Sequence, residues 1–498
     1  MGASLILSHR YPGRYAFNVL AGALEAVEDE GGIEVVVARS RPALIAAVGD
    51  ALERGRRTAV AWSFYSPSLR GCADELAELR ARFGARSSAQ GGAPVDAEVA
   101  IGGSLGVGAK AGSDIGDERR AEVGARTGAA LRARFTSLAG GVHATAEPRE
   151  VLDAGFDHVA IGEGEHTIRA YARALRDGEA LDDVAGIARL ENDEVVSRAR
   201  AVPVANLDDF PPFASRRRLF GAIEITRGCV YACSFCQTPF VQKARFRHRS
   251  AENVAHWAGV LRRSGLRDVR FVSPTSLSYG ASGEEPDLAR VEELLARVRE
   301  AMGRDGRIFF GTFPSEVRPE HVTPQALRLL RRYVDNDNLV IGGQSGSARV
   351  LKASHRGHDV KAIERAVRTA LAEGFRPNVD FLLGLPDEDA SDVEATVALI
   401  ERLCALGARA HGHTFLPLPG TPFRDAAPGR VDEAVAARLS SLEGAGRLFG
   451  QWKAQIDVGR DLAERRARTR IERTERETST RVSLIDESDV RAPSDSEA

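Results

Sequence analysis

The chain of 498 residues has no excess of charge: 68 Lys and Arg stand against 70 Asp and Glu, a formal net charge of −2. That removes any general electrostatic reason to bind nucleic acid or anionic lipid, although a local basic groove would not register in the total. Long apolar runs are missing too. No stretch reaches the roughly 18–20 residues that span a bilayer. Arg10 and Arg14 interrupt the short apolar run at 3–7, where a signal peptide would need continuity. Cysteine is scarce: Cys72, Cys229, Cys233, Cys236 and Cys404, with three of the five inside the stretch 229–236. An odd count with one tight cluster argues against a disulfide framework and for a metal site in a reducing compartment. A cytoplasmic protein without a membrane partner is expected.

What is present fits an ordinary globular balance, 43% hydrophobic and 28% charged. The length exceeds what one core of about 250–300 residues holds, so two or more domains are expected. The first part alternates strands near 4–7, 33–38 and 58–62 with helices near 15–28, 42–54 and 69–82. This pattern predicts an α/β domain over 1–180, a doubly wound, Rossmann-like parallel sheet covered on both faces. Residues 84–130, rich in Gly, Ala and Ser, read as an insertion. Residues 181–215 read as a hairpin turning at Asn192-Asp193 and a connector with Pro211-Pro212.

The second half repeats strand then helix six times, with strands near 222–226, 268–273, 307–312, 338–342, 378–383 and 412–416. Six such units over 216–425 predict a partial (β/α)6 barrel, whose ligands belong at the C-terminal strand ends. A charged helical extension is expected at 426–477 and a disordered tail at 478–498.

The stretch IEITRGCVYACSFCQTP spaces its cysteines C-x3-C-x2-C. Three thiolates can ligate three irons of a [4Fe-4S] cubane, leaving the fourth iron open to an external chelate. The amino and carboxylate groups of S-adenosylmethionine (SAM) suit that position. A structural zinc site needs four ligands, usually in two pairs, and no second pair is present. An electron-transfer ferredoxin uses four cysteines at shorter spacing. Three unrelated buried cysteines would explain neither the spacing nor the strand before it.

These residues resemble the radical SAM superfamily over roughly 220–425. The resemblance implies that Phe235 packs near the adenine of SAM. It puts Ser273 and Thr275 near the SAM amino group, although the family's usual Gly-Gly-Glu is absent from VRFVSPTSLSYG. It offers Ser315 and Glu316 at the third strand end and Gln344 and Ser345 at the fourth. Gly384, in VDFLLGLPDE, matches the fifth-strand glycine motif, and FLPLPGTP ends the sixth strand. Arg356 and His358 read equally well as surface caps or as neighbours of the site.

The first 180 residues resemble the cobalamin-binding domain of one large radical SAM branch, on the segment AGGVHATAEPREVLDAGFDHVAIGEGEHTI. The resemblance implies that Gly141 and His143 approach the corrin. The Asp-x-His-x-x-Gly motif that ligates cobalt is absent after the first strand, and His9 has the wrong spacing for it. Either cobalamin binds without a protein histidine, or the domain has lost it. Cys72 and Cys404 read as small buried hydrophobes.

The implied function is radical chemistry on a small molecule, by cobalamin-associated methyl transfer or rearrangement, with electrons from a flavodoxin or ferredoxin type of donor. Methylthiotransferase-like tRNA modification is the alternative enzyme reading, through QSGSARVLKASHRGH and PLPGTPF. It lacks support from a second three-cysteine set and from a basic C-terminal β-barrel. A non-catalytic iron–sulfur sensor is the third reading.

Overall fold

The structure, a computed structural model, describes residues 2–10, 13–84, 135–242 and 244–469. The expected insertion, beyond its first residue, lies outside the described residues, as do the tail at 478–498 and residues 470–477.

Strand β1 (Ala3–Ser8) is buried at every position. Burial of both strand faces needs cover on both sides of the sheet, and alternate residues divide between two cores. Leu5 and Leu7 pack with Phe17, Leu24 and Ile168. Ile6 packs on the other face with Leu44, Val48 and Leu76. Strands β2 (Ile33–Ala38), β3 (Arg57–Ser63), β4 (Thr136–Gly140) and β5 (His158–Ala160) join β1 in the parallel order β2-β1-β3-β4-β5. The order reverses between β1 and β3, and open α/β sheets collect ligands beyond the strand ends at such a point. Strands β6 (Ile187–Glu191) and β7 (Glu194–Val196) add an antiparallel hairpin at the β5 edge. Its turn places Asn192 and Asp193 at φ 50° and 63°, a conformation these two residue types tolerate well.

The barrel is built in two arcs. β8 (Ile223–Glu224) continues after one residue into β9 (Thr226–Arg227), which pairs with β10 (Arg247–His248) in a short antiparallel ribbon. β8, β11 (Asp268–Val272) and β12 (Arg307–Phe309) form one parallel arc. β13 (Asn338–Gln344), β14 (Arg376–Leu383), β15 (Arg409–Thr414) and β16 (Leu448–Gly450) form the other. A parallel bridge from Val317 to Ile341 joins the arcs. β16 falls where only helix was expected. After helix Glu433–Gly444 the chain returns for three residues alongside β15, a run too short to show strand periodicity.

Strand parity separates wall from lumen. On β14, Val379, Phe381 and Leu383 are buried with Ile363, Val367 and Leu399 of the surrounding helices. Asp380, between them, turns to the opposite face, the barrel interior. The two domains are tied by buried ion pairs. Arg227 donates to Glu224 at 2.7 Å and also reaches Glu163 and Glu165 of the N-terminal domain. Arg247 donates to Glu163 at 2.9 Å. Burial alone would raise the Glu163 carboxyl, but Arg247 and Arg227 outweigh it and hold it low.

Candidate active site

The cysteine loop leaves β9 and folds over the barrel mouth. Cys229 and Cys233 are buried and Cys236 is half-buried, among Tyr231, Phe235 and Phe246. Burial pushes the Cys229 thiol up to about 12, and Cys236 and Cys233 add to the shift. Burial also raises Cys236, with Cys233 again contributing. Cysteine binds a metal group as thiolate, so a group held here would displace the protons that burial keeps on Cys229 and Cys236. Among the described residues, only Asp380, His411 and His413 bring three ligand atoms of His, Cys, Asp or Glu within 4.8 Å of one another. The three sulfurs are therefore spread wider than that, which suits a polynuclear cluster better than one ion. The donor set fits a [4Fe-4S] group held by three thiolates.

Positive charge reaches the loop from across the barrel. Arg356 Nη1 lies 3.5 Å from Cys233 Sγ, and its Nη2 donates to the Gly342 carbonyl at 2.7 Å. Nη2 also stands 3.4 Å from Glu316 Oε1. A Cβ on Gly342 would sit 2.2 Å from this guanidinium, so the glycine leaves the space that Arg356 crosses. Burial pushes the Glu316 carboxyl up, Arg356 draws it down, and Asp380 pushes it up again. Arg318 lies over the Tyr231 ring at 3.6 Å. His358, with Nε2 3.2 Å from the Gly343 carbonyl, is driven down to about 4 by burial and by Arg356.

The expected SAM contacts divide into two groups. Phe235 packs with Leu385 and Phe415, just beyond β14 and β15. Thr275 Oγ1 and Ser276 Oγ are buried without a hydrogen-bond partner, as ligand-binding hydroxyls would be. Glu316 reaches Arg356, and Gln344 occupies a bulge of β13 at φ 74°. The other group is spent on the protein. Ser315 donates to the Phe271 carbonyl at 2.8 Å and accepts from Ser273 N–H at 3.0 Å, while Ser273 Oγ donates to Thr275 O. Ser345 Oγ lies 3.1 Å from Thr396 Oγ1 and accepts from Ser347 N–H. Gly384, at φ 71°, makes room for the backbone of Arg430, 2.5 Å from where its Cβ would stand.

A cavity of about 400 Å³ lies where the N-terminal sheet faces the barrel. The N-terminal wall comes from strand ends: Gly13 after β1, Trp62 to Tyr65 at β3, Gly140 and Gly141 at β4, and Gly162 to Glu165 after β5. The opposite wall includes Gln237, Thr238 and Val241, which follow Cys236 directly. Gly141, at φ 101°, allows the turn, because a Cβ would stand 2.8 Å from the Phe64 carbonyl. The Tyr15 hydroxyl in this wall is buried without a partner. His143 is not part of it. That residue is buried beneath, Nδ1 3.0 Å from Ser66 Oγ and Nε2 3.3 Å from Glu150. His9 is buried 2.7 Å from Asn18 Oδ1. Glycine-lined approach and an orphaned hydroxyl fit a large flat ligand bound without a histidine from the described lining. Arg356, read from sequence as a surface cap or a neighbour of the site, is buried beside Cys233, whereas the lumen carboxylate and histidines and the Glu163–Arg247 tie escaped the sequence reading. Each joins residues distant in the chain, and only the Gly-Glu-Gly-Glu run hinted at the last.

Residues 223–400 match the Radical SAM superfamily. Over this stretch the chain is a radical SAM domain, the enzyme class that employs a [4Fe-4S] cluster and SAM. The tRNA-2-methylthio-N(6)-dimethylallyladenosine synthase of Trichlorobacter lovleyi is 28% identical over 297 residues, 58% of this chain and 62% of that protein. The synthase of the same name from Shewanella denitrificans is 29% identical over 231 residues, 44% of this chain and 46% of its own. The chain thus spans less than two thirds of either relative. Among solved structures, the radical S-adenosylmethionine methyltransferase TsrM of Kitasatospora setae, with cobalamin and a [4Fe-4S] cluster bound, has a TM-score of 0.58 at 18% identity, covering 86% of this chain and 78% of that one. The cobalamin-dependent S-adenosylmethionine radical enzyme OxsB, with aqua-cobalamin bound, has a TM-score of 0.56 at 14% identity, covering 92% and 56%. These two share the fold of this chain. No helix among the described residues is long and apolar enough to cross a membrane.

Proposed function

We propose that this protein cleaves SAM reductively at a cluster held by Cys229, Cys233 and Cys236, and transfers a methyl group to a small molecule with cobalamin in the interdomain cavity. The carrying observation is that the cavity and the cluster loop share a wall, since Gln237 and Thr238 follow Cys236 and line the cavity. The bound groups would supply an electron to break the SAM sulfonium bond and a carrier for the one-carbon unit.

The protein's own residues supply position and exclusion. Phe235, Leu385 and Phe415 offer the apolar surface for the adenine. Thr275 and Ser276 hold hydroxyls free to orient the amino-acid end of SAM. Arg356 sets positive charge against Cys233, which favours electron uptake from a one-electron donor of the flavodoxin or ferredoxin type. Gln237 is held by its Nε2 donating to the Pro419 carbonyl at 2.8 Å, so the shared wall stays in place.

The test is anaerobic reconstitution with iron, sulfide and hydroxocobalamin, then reduction with SAM. 5′-Deoxyadenosine or S-adenosylhomocysteine and a retained corrin spectrum are expected. Neither nucleoside from a fully clustered protein would remove the SAM reading, and failure to hold corrin would remove the cobalamin part.

A second reading, tRNA methylthiolation, draws on the curated relatives. Against it, Cys72 is the only cysteine before the cluster loop, and burial pushes its thiol up to about 12. Sulfur incorporation into bulk tRNA by the reconstituted protein would favour this reading instead.

A further inference from the structure

We propose that Asp380, His411 and His413 form a second metal centre in the barrel lumen, which takes a divalent ion of the zinc, iron or cobalt kind. Parallel register builds it. Gly342, Asp380, His411 and Phe449 are paired across β13, β14, β15 and β16, so they form one row. His413, two residues beyond His411, shares its strand face one layer nearer the C-terminal mouth.

Distances match a coordination sphere. Asp380 Oδ1 is 2.9 Å from His411 Nδ1, and His413 Nε2 is 3.2 Å from that same nitrogen. All three ligand atoms lie within 4.8 Å of one another. Groups bound about 2.0–2.2 Å from one ion stand roughly 3–3.5 Å apart.

Hydrogen bonding explains this convergence poorly. His411 Nδ1 carries either one hydrogen or one lone pair. With the hydrogen it serves Asp380, and His413 must then present a lone pair at Nε2, with its hydrogen on Nδ1. With the lone pair it serves a His413 N–H, and the carboxylate faces a lone pair. Gln455 sharpens the conflict. Its Oε1 accepts from Thr414 N–H at 2.9 Å, which turns its amide nitrogen toward His413 Nδ1 at 3.4 Å. A cation at the centre satisfies both short contacts and asks only that the long Gln455 contact open.

The rings are already held. His411 stacks on Phe449 with centroids 4.5 Å apart and planes at 12°. His413 meets His411 edge-on at 4.2 Å. Two imidazoles and a carboxylate suit zinc, iron(II) or cobalt(II) rather than magnesium or calcium. Three protein ligands leave a position open, which a lone-pair donor of the substrate would take. The centre does not depend on the cobalamin reading.

The experiment uses the full chain with its cluster reconstituted, dialysed against buffered micromolar zinc, with zinc and acid-labile sulfide measured together. About one zinc per chain is expected, surviving in Cys233→Ala because the cysteines do not hold it. Asp380→Asn and His413→Gln should each weaken zinc binding about 10-fold or more with sulfide unchanged. Gln455→Glu should tighten it by about 10-fold, because a carboxylate can accept the Nδ1 hydrogen that a metal-bound His413 carries. Wild-type protein without zinc, zinc lost only in Cys233→Ala, equal affinity in Asp380→Asn and His413→Gln, or weaker binding in Gln455→Glu would each overturn the proposal.

Discussion

The cluster loop and the interdomain cavity meet at residues 236–238, yet they are built in opposite ways. The loop puts its three sulfurs within eight consecutive residues and takes long-range support around them, from Arg356 at Cys233, Ser354 and His355 at Ser234, and Glu284 and His321 at Tyr231. The cavity has no local motif of that density. Its wall is the sum of strand ends from Gly13 to Glu165, closed by residues after Cys236. A ligand set of three fails when one member goes. A cavity fails when it is filled, and tolerates loss of most of its lining atoms.

The sharpest way to break this contrast is Cys233→Ala. Iron and acid-labile sulfide should fall to background and 5′-deoxyadenosine should vanish, because one of three protein ligands is gone. The N-terminal fold and any corrin binding should survive, and loss of corrin as well would mean that the two regions are one cooperative site. Next in size is Arg356→Ala. It strands the Glu316 carboxyl in the lumen, so about 3–5 kcal/mol of stability should be lost in denaturant titration. The cluster should also become harder to reduce, because positive charge beside Cys233 has been removed.

Gly141→Leu tests the other side. A side chain there strikes the Phe64 backbone and requires φ 101°, so corrin retention should fall at least about 10-fold. Cluster iron should not change. If corrin binding is unaffected, the cavity is not its site.

Two titrations have opposite signs and smaller size. His358 falls from its ordinary 6.5 to about 4, so its contribution to stability is present above about 6.5 and lost as pH falls toward 4. Glu388 rises to about 7 through burial, so its contribution is present below about 4.5 and lost as pH rises through 7. Denaturation curves from pH 4 to 8 should show His358→Gln removing a loss of about 1–3 kcal/mol at the acid end. Glu388→Gln should remove a similar loss at the alkaline end. Smallest of all, Ser345→Ala should cost about 1 kcal/mol through its bond to Thr396, with SAM cleavage intact. A large loss of SAM cleavage would return Ser345 to the cofactor site.

Much of the architecture was legible because it rests on periodicity. Burial of β1 follows from its short, largely apolar run, and the six barrel strands lie within a few residues of their expected places. β16 was illegible because three residues carry no period. Among the site residues, hydroxyl direction was the missing information. Ser273, Ser315 and Thr275 are all polar residues at strand ends, but Ser273 and Ser315 bond the backbone while the Thr275 hydroxyl has no partner. His143 stood beside two glycines in sequence, yet its ring turns away from the cavity toward Ser66 and Glu150.

By itself the sequence singled out the three cysteines proposed as cluster ligands, because their spacing is local and three thiolates within eight residues have few other uses. It also determined the alternation that makes a parallel sheet and a barrel. Tertiary structure alone decided what stands beside those ligands. Arg356 meets Cys233 across 123 positions of chain, where two loops converge at the barrel mouth. His411 meets Asp380 across 31, because parallel strands bring same-face residues of successive units into one row. No local pattern records that register, since it is chosen by the packing of helices against the outer faces of the strands.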